Sequence, residues 1–519
     1  MKKYYSKKVL IGNIVIGGGS KIKIQSMTTT NTLDIEATSQ QIMALSDNGC
    51  DIVRAAVQGS QEAFACEKIK NILVKKGYAI PLVADIHFFY KTALIASDFV
   101  DKIRINPGNF IDKRANFQNK VLTENEYTNE LLKTEEKLLL LVEKLKKNKC
   151  ALRIGVNHGS LSDRIMSKYG NTPYGMIISA IEYIEICRKY DFENIVLSMK
   201  SSSVKIMIEA YRMLTDEFCR LNYNYPIHLG VTEAGEGLEG EIKSSIGIGS
   251  LLIDGIGDTI RVSLTDNPIN EIKPAQKLIK LHESYKDINL EKPKILENKN
   301  SFLAYLNEDI EKNIDMNILN NDENFIFLND VIKQSSFKDV VLNYAFPIVK
   351  KVREFKKNKD TRLFLNIKNL KLELENIAEI GLLFIDGYID GLVIDKSQKD
   401  IALNILQACN KKNVKTEFIS CPGCGRTLFD IQKAVRILKE KVPSIPNLKI
   451  AIMGCLVNGP GEMQDADFGY VGKGTNKVDL YIGKQVYEKD INSEEAVEKL
   501  LKLIEERFNY PYLSNTRHL

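Results

Sequence analysis

Between about residue 20 and residue 270 the chain repeats one pattern. A short run of apolar and β-branched residues ends on polar ones, and a stretch with apolar residues at helical spacing follows. The runs are Lys21–Met27, Ile52–Val57, Leu82–Ile86, Lys102–Asn106, Leu152–Asn157, Asn194–Lys200, Ile227–Thr232 and Thr259–Leu264. Ser60–Lys76 and Gly175–Tyr190 are typical of the amphipathic segments between them. Strands alternating with helices imply a parallel sheet. Eight such units match the roughly 250 residues of a closed (β/α)8 barrel. An open doubly wound sheet is the structural rival, but no GxGxxG turn follows a strand to support it.

Barrel active sites form where the strands end, and these ends are cationic. Arg54, Arg104, Arg153, Lys200 and Arg261 come from five different strands, with Asn106, Asn157 and Ser263 beside them. Only Asp85 and Glu233 stand among them as evident acids. Each cation taken alone is as readily a structural salt-bridge partner. Five together call for an anion, because buried charge is costly unless paired, and phosphate groups suit guanidinium forks and an ammonium point charge. Glu233, at the tip of the seventh strand, is a candidate general acid, with a helix N-terminal carboxylate as its plainer reading. Neighbouring cations are expected to hold its carboxyl low. His158 is a lone loop histidine that is as readily structural.

From about 275 to 400 the composition shifts to Asn and Lys, as in Glu297–Asn300 and Asn317–Asn324. Strand-like runs persist at Phe325–Leu328, Val340–Tyr344, Leu363–Ile367 and Gly391–Ile394, without a polar constellation among them. The division expected is a (β/α)8 TIM barrel over 1–275, an inserted α/β domain over 276–410 and a C-terminal α+β domain over 411–519.

That last part carries the sharpest motif. Cys421 and Cys424 form a C-x-x-C loop after one strand, and Cys455 follows another, Lys449–Met453. A zinc site, a redox disulfide and an iron–sulphur cluster all use such spacing. Structural zinc takes four Cys or His ligands, and no His lies between 283 and 517. A redox pair has no need of Cys455. Three thiolates leave one iron of a cubane for an exchangeable ligand, and Glu462, in a Gly/Pro-rich turn, can offer oxygen, with an ordinary loop carboxylate as its plainer reading. The cysteines at 50, 66, 150, 187, 219 and 409 read mostly as core residues.

Composition limits the alternatives. Seventy-two basic against 67 acidic residues leave a net charge of +5, small for 519 residues, so no nucleic-acid footprint is visible. No apolar run is long enough to span a membrane, the N-terminus has no signal-peptide pattern, and nine scattered cysteines suit a reducing compartment. The cytoplasm is expected.

The segments IRINPGN, GVNHGS, GVTEAGEG, GDTIRVSL, SCPGCGRTLFD and AIMGCLVNGPGEMQDADFGYVG closely resemble the 4-hydroxy-3-methylbut-2-en-1-yl diphosphate synthases, iron–sulphur enzymes of the methylerythritol phosphate route to isoprenoids. The likeness covers roughly 10–270 and 412–490, and the insertion is similar to the three-domain plant-like form. Gly423 stands where the family has Ser or Thr, and the insertion is short for a second barrel. The resemblance implies reductive dehydration and ring opening of 2-C-methyl-D-erythritol 2,4-cyclodiphosphate. It implies a [4Fe–4S] cluster on Cys421, Cys424 and Cys455, with Glu462 on the fourth iron at rest. Arg54, Arg104, Arg153, Lys200, Arg261 and Ser263 would bind the diphosphate, with Asn106, Asn157, Thr232 and Asp85 assisting, and Glu233 would supply the proton. Flavodoxin or ferredoxin would donate electrons. The barrel and cluster that meet belong to one chain or to two subunits of a homodimer. Two other readings compete: a barrel lyase or pterin-type transferase with structural zinc, and an RNA- or iron-sensing protein.

Overall fold

The computed structural model describes residues 4–112, 122–291, 293, 302–304, 325–327, 338–355, 361–457, 459–463 and 466–508; for 302–304, 325–327, 338, 339, 460 and 462 it describes the backbone alone. The Asn/Lys-rich stretches 297–300 and 317–324 lie outside the described residues. Two compact units divide the chain, one of residues 2–241, 256–276 and 415–519, the other of 242–255 and 277–414.

The first unit opens with a hairpin, β1 (Val9–Ile11) and β2 (Ile14–Ile16). Eight parallel strands follow: β3 (Lys23–Met27), β4 (Ile52–Val57), β5 (Leu82–Ile86), β6 (Lys102–Ile105), β7 (Ala151–Asn157), β8 (Ile195–Lys200), β9 (His228–Leu229) and β10 (Thr259–Ile260). Their order is β8-β7-β6-β5-β4-β3-β10-β9. A bridge between Leu197 and Ile227 joins the ends of that order, so the predicted barrel closes. Each predicted strand is present, the last two shortened to two residues.

Local chemistry starts the helices where the strands release the chain. Asp34, Ser162 and Thr172 accept hydrogen bonds from Ala37, Ile165 and Gly175 N–H groups, and Pro173 occupies the first turn after Thr172. Thr123 and Glu126 form a reciprocal cap before the long helix Glu124–Asn148. The hairpin buries Val9, Ile11 and Ile16 against Ile52, Val83, Ala151 and Val196 at the strand starts. That apolar plug seals the lower mouth, leaving polar chemistry to the other end. One expectation fails on the wall: Cys219 is exposed. The helix Val204–Leu221 buries Leu214, Thr215 and Phe218, which turns the next residue outward.

The C-terminal part of this unit is a five-stranded sheet, β16 (Glu417–Ser420), β17 (Lys449–Met453), β18 (Phe468–Gly474), β19 (Lys477–Ile482) and β20 (Gln485–Asn492), in chain order. The first three strands run parallel and the last two antiparallel. Helices Ile431–Lys441 and Ser493–Phe508 cover one face, their Val435, Leu438, Leu500 and Ile504 packing with Ile450, Phe468 and Leu480.

The second unit holds the sheet β11-β15-β14-β13-β12, from Phe302–Ala304 (β11), Phe325–Phe327 (β12), Lys338–Asn343 (β13), Thr361–Asn366 (β14) and Gly391–Val393 (β15). All its pairings are parallel except β12 with β13. Its interior carries a polar constellation that the sequence reading did not find. Glu379 is buried and accepts from the Tyr285 and Tyr344 hydroxyls and, at 3.0 Å, from the Ile348 N–H. Arg353 pairs with Asp254 at 2.9 Å and Asp386 at 3.1 Å.

Candidate active site

Parallel strands deliver their carboxyl ends to one rim, and a cavity of roughly 690 Å³, its open mouth included, lies there within the first unit. Arg54, Asp85, Arg104, Asn157 and Lys200 reach its wall from β4 to β8, and Thr232, Glu233, Arg261 and Ser263 from the segments after β9 and β10. Cys421, Cys424 and Cys455 line the same cavity from the loops that follow β16 and β17.

Register explains how the barrel groups meet. Asp85 pairs with Arg104 across β5 and β6, and Arg104 with Arg153 across β6 and β7. Partners in parallel ladders point to one face, so these three stand at one level inside the barrel. Arg104 donates to Asp85 Oδ1 at 2.9 Å, Gly155 O at 3.0 Å and Asn157 Oδ1 at 3.3 Å. His87 Nε2 lies 3.5 Å from Asp85. Burial alone would push the Asp85 carboxyl up, yet Arg54, Arg104, Arg426 and His87 outweigh it and hold it well below its ordinary range. Arg261 forms a two-point pair with buried Glu271, Nη2 to Oε1 at 3.0 Å and Nε to Oε2 at 3.2 Å. The barrel thus contains a third acid that the sequence reading did not count.

Arg54 has no such partner: its Nε and Nη2 lie 3.1 and 2.9 Å from Met27 Sδ, and Asp85 is 4.0 Å away. Burial lowers its pKa to about 10. Lys200 is pushed well below its usual value by burial and then by Arg153, Arg54, Arg261 and Arg104. Gly230 makes room for it, since a Cβ there would stand 2.7 Å from its Nζ. Arg153 is fully buried behind the wall, and none of its three guanidinium nitrogens finds a hydrogen-bond partner among the described residues. Desolvating a guanidinium costs several kcal/mol unless an anion answers it. The uncompensated charge here is cationic.

Glu233 faces this charge with a left-handed φ of 48° and a buried Oε2 that bonds to no described group. Its carboxyl is raised, not lowered as expected: burial exceeds the Thr232 hydrogen bond and the pull of Lys200, Arg261 and Arg104. Two other candidates lie off the wall. Asn106 is buried and its Oδ1 accepts from Gly108 N at 3.2 Å, capping the turn Pro107–Phe110. His158 Nε2 lies 3.0 Å from Asn171 O.

The three thiols form the opposite wall. Gly454 N–H donates to Cys421 Sγ at 3.1 Å, and Arg426 Nη1 lies 3.9 Å from Cys424 Sγ. Gly423 sits at φ 75°, where glycine carries no penalty, although a Cβ would meet nothing closer than 3.7 Å. Among the described residues no three His, Cys, Asp or Glu groups converge tightly enough for one metal ion. Thiols brought to one chamber from two loops are the donor type that an iron–sulphur group or a zinc ion takes. Glu462 lies in the helical turn Gly459–Glu462, and its side chain is outside the described residues.

Contacts within the chain close this wall onto the barrel. Thr265 Oγ1 lies 2.7 Å from Ser420 Oγ and donates to Cys421 O at 3.1 Å. Lys439 pairs with Glu236 at 3.4 Å and Glu239 at 3.1 Å. Arg426 pairs with Asp85 at 2.8 Å. The sequence reading missed Arg426, His87 and Glu271. Arg426 follows the C-x-x-C pair by two residues and His87 follows Asp85 by two, so proximity to a motif was their only signal.

Family profiles match both halves of this site. The description "GcpE TIM-barrel domain" fits residues 6–276 and "GcpE protein C-terminal domain" fits 417–506. A protein of Protochlamydia amoebophila named 4-hydroxy-3-methylbut-2-en-1-yl diphosphate synthase (flavodoxin) is 40% identical, covering 96% of this chain and 95% of its own. Its alignment spans 626 positions against 519 residues here, so the relative carries segments that this chain lacks. A Chlamydia caviae protein of the same name is 41% identical over 97% of this chain and 96% of its own. The chloroplastic ferredoxin-type synthase of Oryza sativa is 36% identical over 96% and 87%. Among the described residues no helix is long and apolar enough to cross a membrane. From the closed barrel, the thiol-bearing sheet and these matches along nearly its whole length, the chain belongs to the 4-hydroxy-3-methylbut-2-en-1-yl diphosphate synthase (GcpE) family.

Proposed function

We propose that this chain converts 2-C-methyl-D-erythritol 2,4-cyclodiphosphate to 4-hydroxy-3-methylbut-2-enyl diphosphate by two-electron reductive dehydration, in the cytoplasm, with a [4Fe–4S] group on Cys421, Cys424 and Cys455. The observation that carries this reading is a cavity with a cationic rim on one side, where Arg54 and Lys200 have no close acid among the described residues, and three thiols on the other. Bound there, with Glu462 as its resting oxygen ligand, the group would supply single electrons and a Lewis-acidic iron.

The protein's own groups do the rest. Arg54, Lys200 and Arg261, with Ser263, hold the diphosphate, and Arg153 backs them from inside the barrel. Arg104, fixed by Asp85, Asn157 and the Gly155 carbonyl, orients the ring oxygen toward the thiol wall. Glu233, whose hold on its proton is strengthened by burial, gives that proton to the C3 hydroxyl as it leaves as water. The thiol wall faces the barrel rim across the cavity, which limits the water around these groups and strengthens their interactions. Flavodoxin or ferredoxin, the donors named for the relatives, would deliver the electrons one at a time. The described walls of the cavity come from one chain, which supports a site that closes within a single subunit.

Anaerobically purified protein should contain iron and acid-labile sulphide and should turn over the cyclodiphosphate with a reduced flavodoxin. Zinc without iron would remove the reading in favour of a structural metal. Cys455→Ser should lose most of the iron while circular dichroism shows an intact fold.

A further inference from the structure

Arg426 joins the two walls of the cavity. It is 7% exposed, and its forked guanidinium grips Asp85 twice, Nη1 to Oδ2 at 2.8 Å and Nη2 to the backbone carbonyl at 2.5 Å. The same Nη1 lies 3.9 Å from Cys424 Sγ. Asp85 uses its other oxygen, Oδ1, for Arg104. One carboxylate therefore stands between a cation of the substrate side and a cation of the thiol side. The neighbouring backbone permits the reach: a Cβ on Gly425 would come within 2.6 Å of Thr30 O, so only glycine lets this loop press onto the barrel.

We propose that Arg426 is a positioning residue for the reaction, setting the reduction potential of the sulphur-held group and coupling it to the substrate-binding carboxylate Asp85. This rests on the reading that the three thiols hold an iron–sulphur group. A fixed cation and an N–H directed at a ligand sulphur favour the reduced form, and hydrogen bonds to sulphur are a known lever on such potentials. Asp85 acts in the opposite direction, and its pairing with Arg426 moderates both. Lysine cannot reproduce the arrangement, because an ammonium has no planar fork to hold a side-chain oxygen and a carbonyl together.

The test uses the full chain reconstituted with iron and sulphide, with midpoint potentials from titrations followed by electron paramagnetic resonance in the absence of substrate. Arg426→Gln should keep its iron, shift the potential to more negative values and lower kcat by about 10–100-fold, with a smaller change in KM. Asp85→Asn should shift the potential the other way. Arg426→Lys should recover most of the potential but not kcat. Unchanged potentials in iron-loaded Arg426→Gln overturn the proposal, as do shifts of the same sign in Arg426→Gln and Asp85→Asn. If Arg426→Gln cannot hold iron, Asp85→Asn decides: an unchanged potential, or a shift to more negative values, refutes the proposal. Wild-type protein that holds no iron would instead sink the underlying reading.

Discussion

At Glu233 two opposing influences act on one proton. Lys200, Arg261 and Arg104 favour the carboxylate, while burial favours the acid, and burial is the larger. A raised pKa keeps the proton on Glu233 to higher pH, so turnover should fall as pH rises through that raised value, and Glu233→Gln should remove this limb of the profile. General acids typically contribute about 10²–10⁴-fold, so Glu233→Gln is expected to lose that much kcat with KM changed only a few-fold, as steady-state kinetics would read. Lys200 behaves inversely. Its proton is loosened by burial and by like charges, and the opposite charge of a bound diphosphate offsets them. Inorganic pyrophosphate binding should therefore draw a proton onto Lys200, so Lys200→Met should show less proton uptake (or more release) on binding than the wild type, measurable by calorimetry in buffers of different ionisation enthalpy; an unchanged proton count would contradict the assignment. The cations themselves were legible because strand-end arginines stand out against apolar runs. Their partners were not: Glu271 meets Arg261 through a turn, and Arg426 meets Asp85 across a sequence separation of 341, which no spacing rule reaches.

Elements place these groups through close backbone approach. The turn Gly459–Glu462 packs on the turn His158–Ser160, and a Cβ on Gly461 would stand 1.8 Å from Gly159 O. Gly461→Ala must therefore push the loop that carries Cys455 away from the barrel. Misplacement by about 1 Å can cost about 100-fold in rate, so kcat/KM should drop by that order while the far-ultraviolet circular dichroism stays unchanged. A drop of less than threefold would show that the loop adapts. Gly423 differs, because space is open there and only its backbone conformation resists a side chain; Gly423→Ala should cost about 1 kcal/mol of stability in chemical denaturation. The barrel strands were legible from β-branched runs ending in charge. The cap by Asn106 was not, since a side chain that bonds its own backbone and one that binds a ligand share the same sequence.

At the scale of the whole molecule, one ionisation in the second unit links stability to pH. Burial pushes the Glu379 carboxyl up to about 7, against the bonds from Tyr285, Tyr344 and Ile348. Because the folded unit binds this proton more tightly than the unfolded chain, its stability is greatest below the ordinary glutamate range, declines as pH rises toward about 7 and is level above that. The swing is on the order of 3 kcal/mol. Glu379→Gln should flatten this part of the Tm-against-pH curve, raising Tm at pH 8 more than at pH 5, and equal shifts at both would exclude Glu379 as the source. Nothing in the local sequence marks that carboxyl, whose partners lie 31, 35 and 94 residues away.

The order in which the cavity's walls occur along the chain has a consequence for its biosynthesis. Arg54 to Arg261 leave the ribosome well before Cys421, Cys424 and Cys455, so a nascent barrel carries its whole cationic rim before the thiol-bearing sheet is made. On the proposed reading, cellular phosphates compete for that rim until the last sheet arrives, which makes their displacement part of maturation.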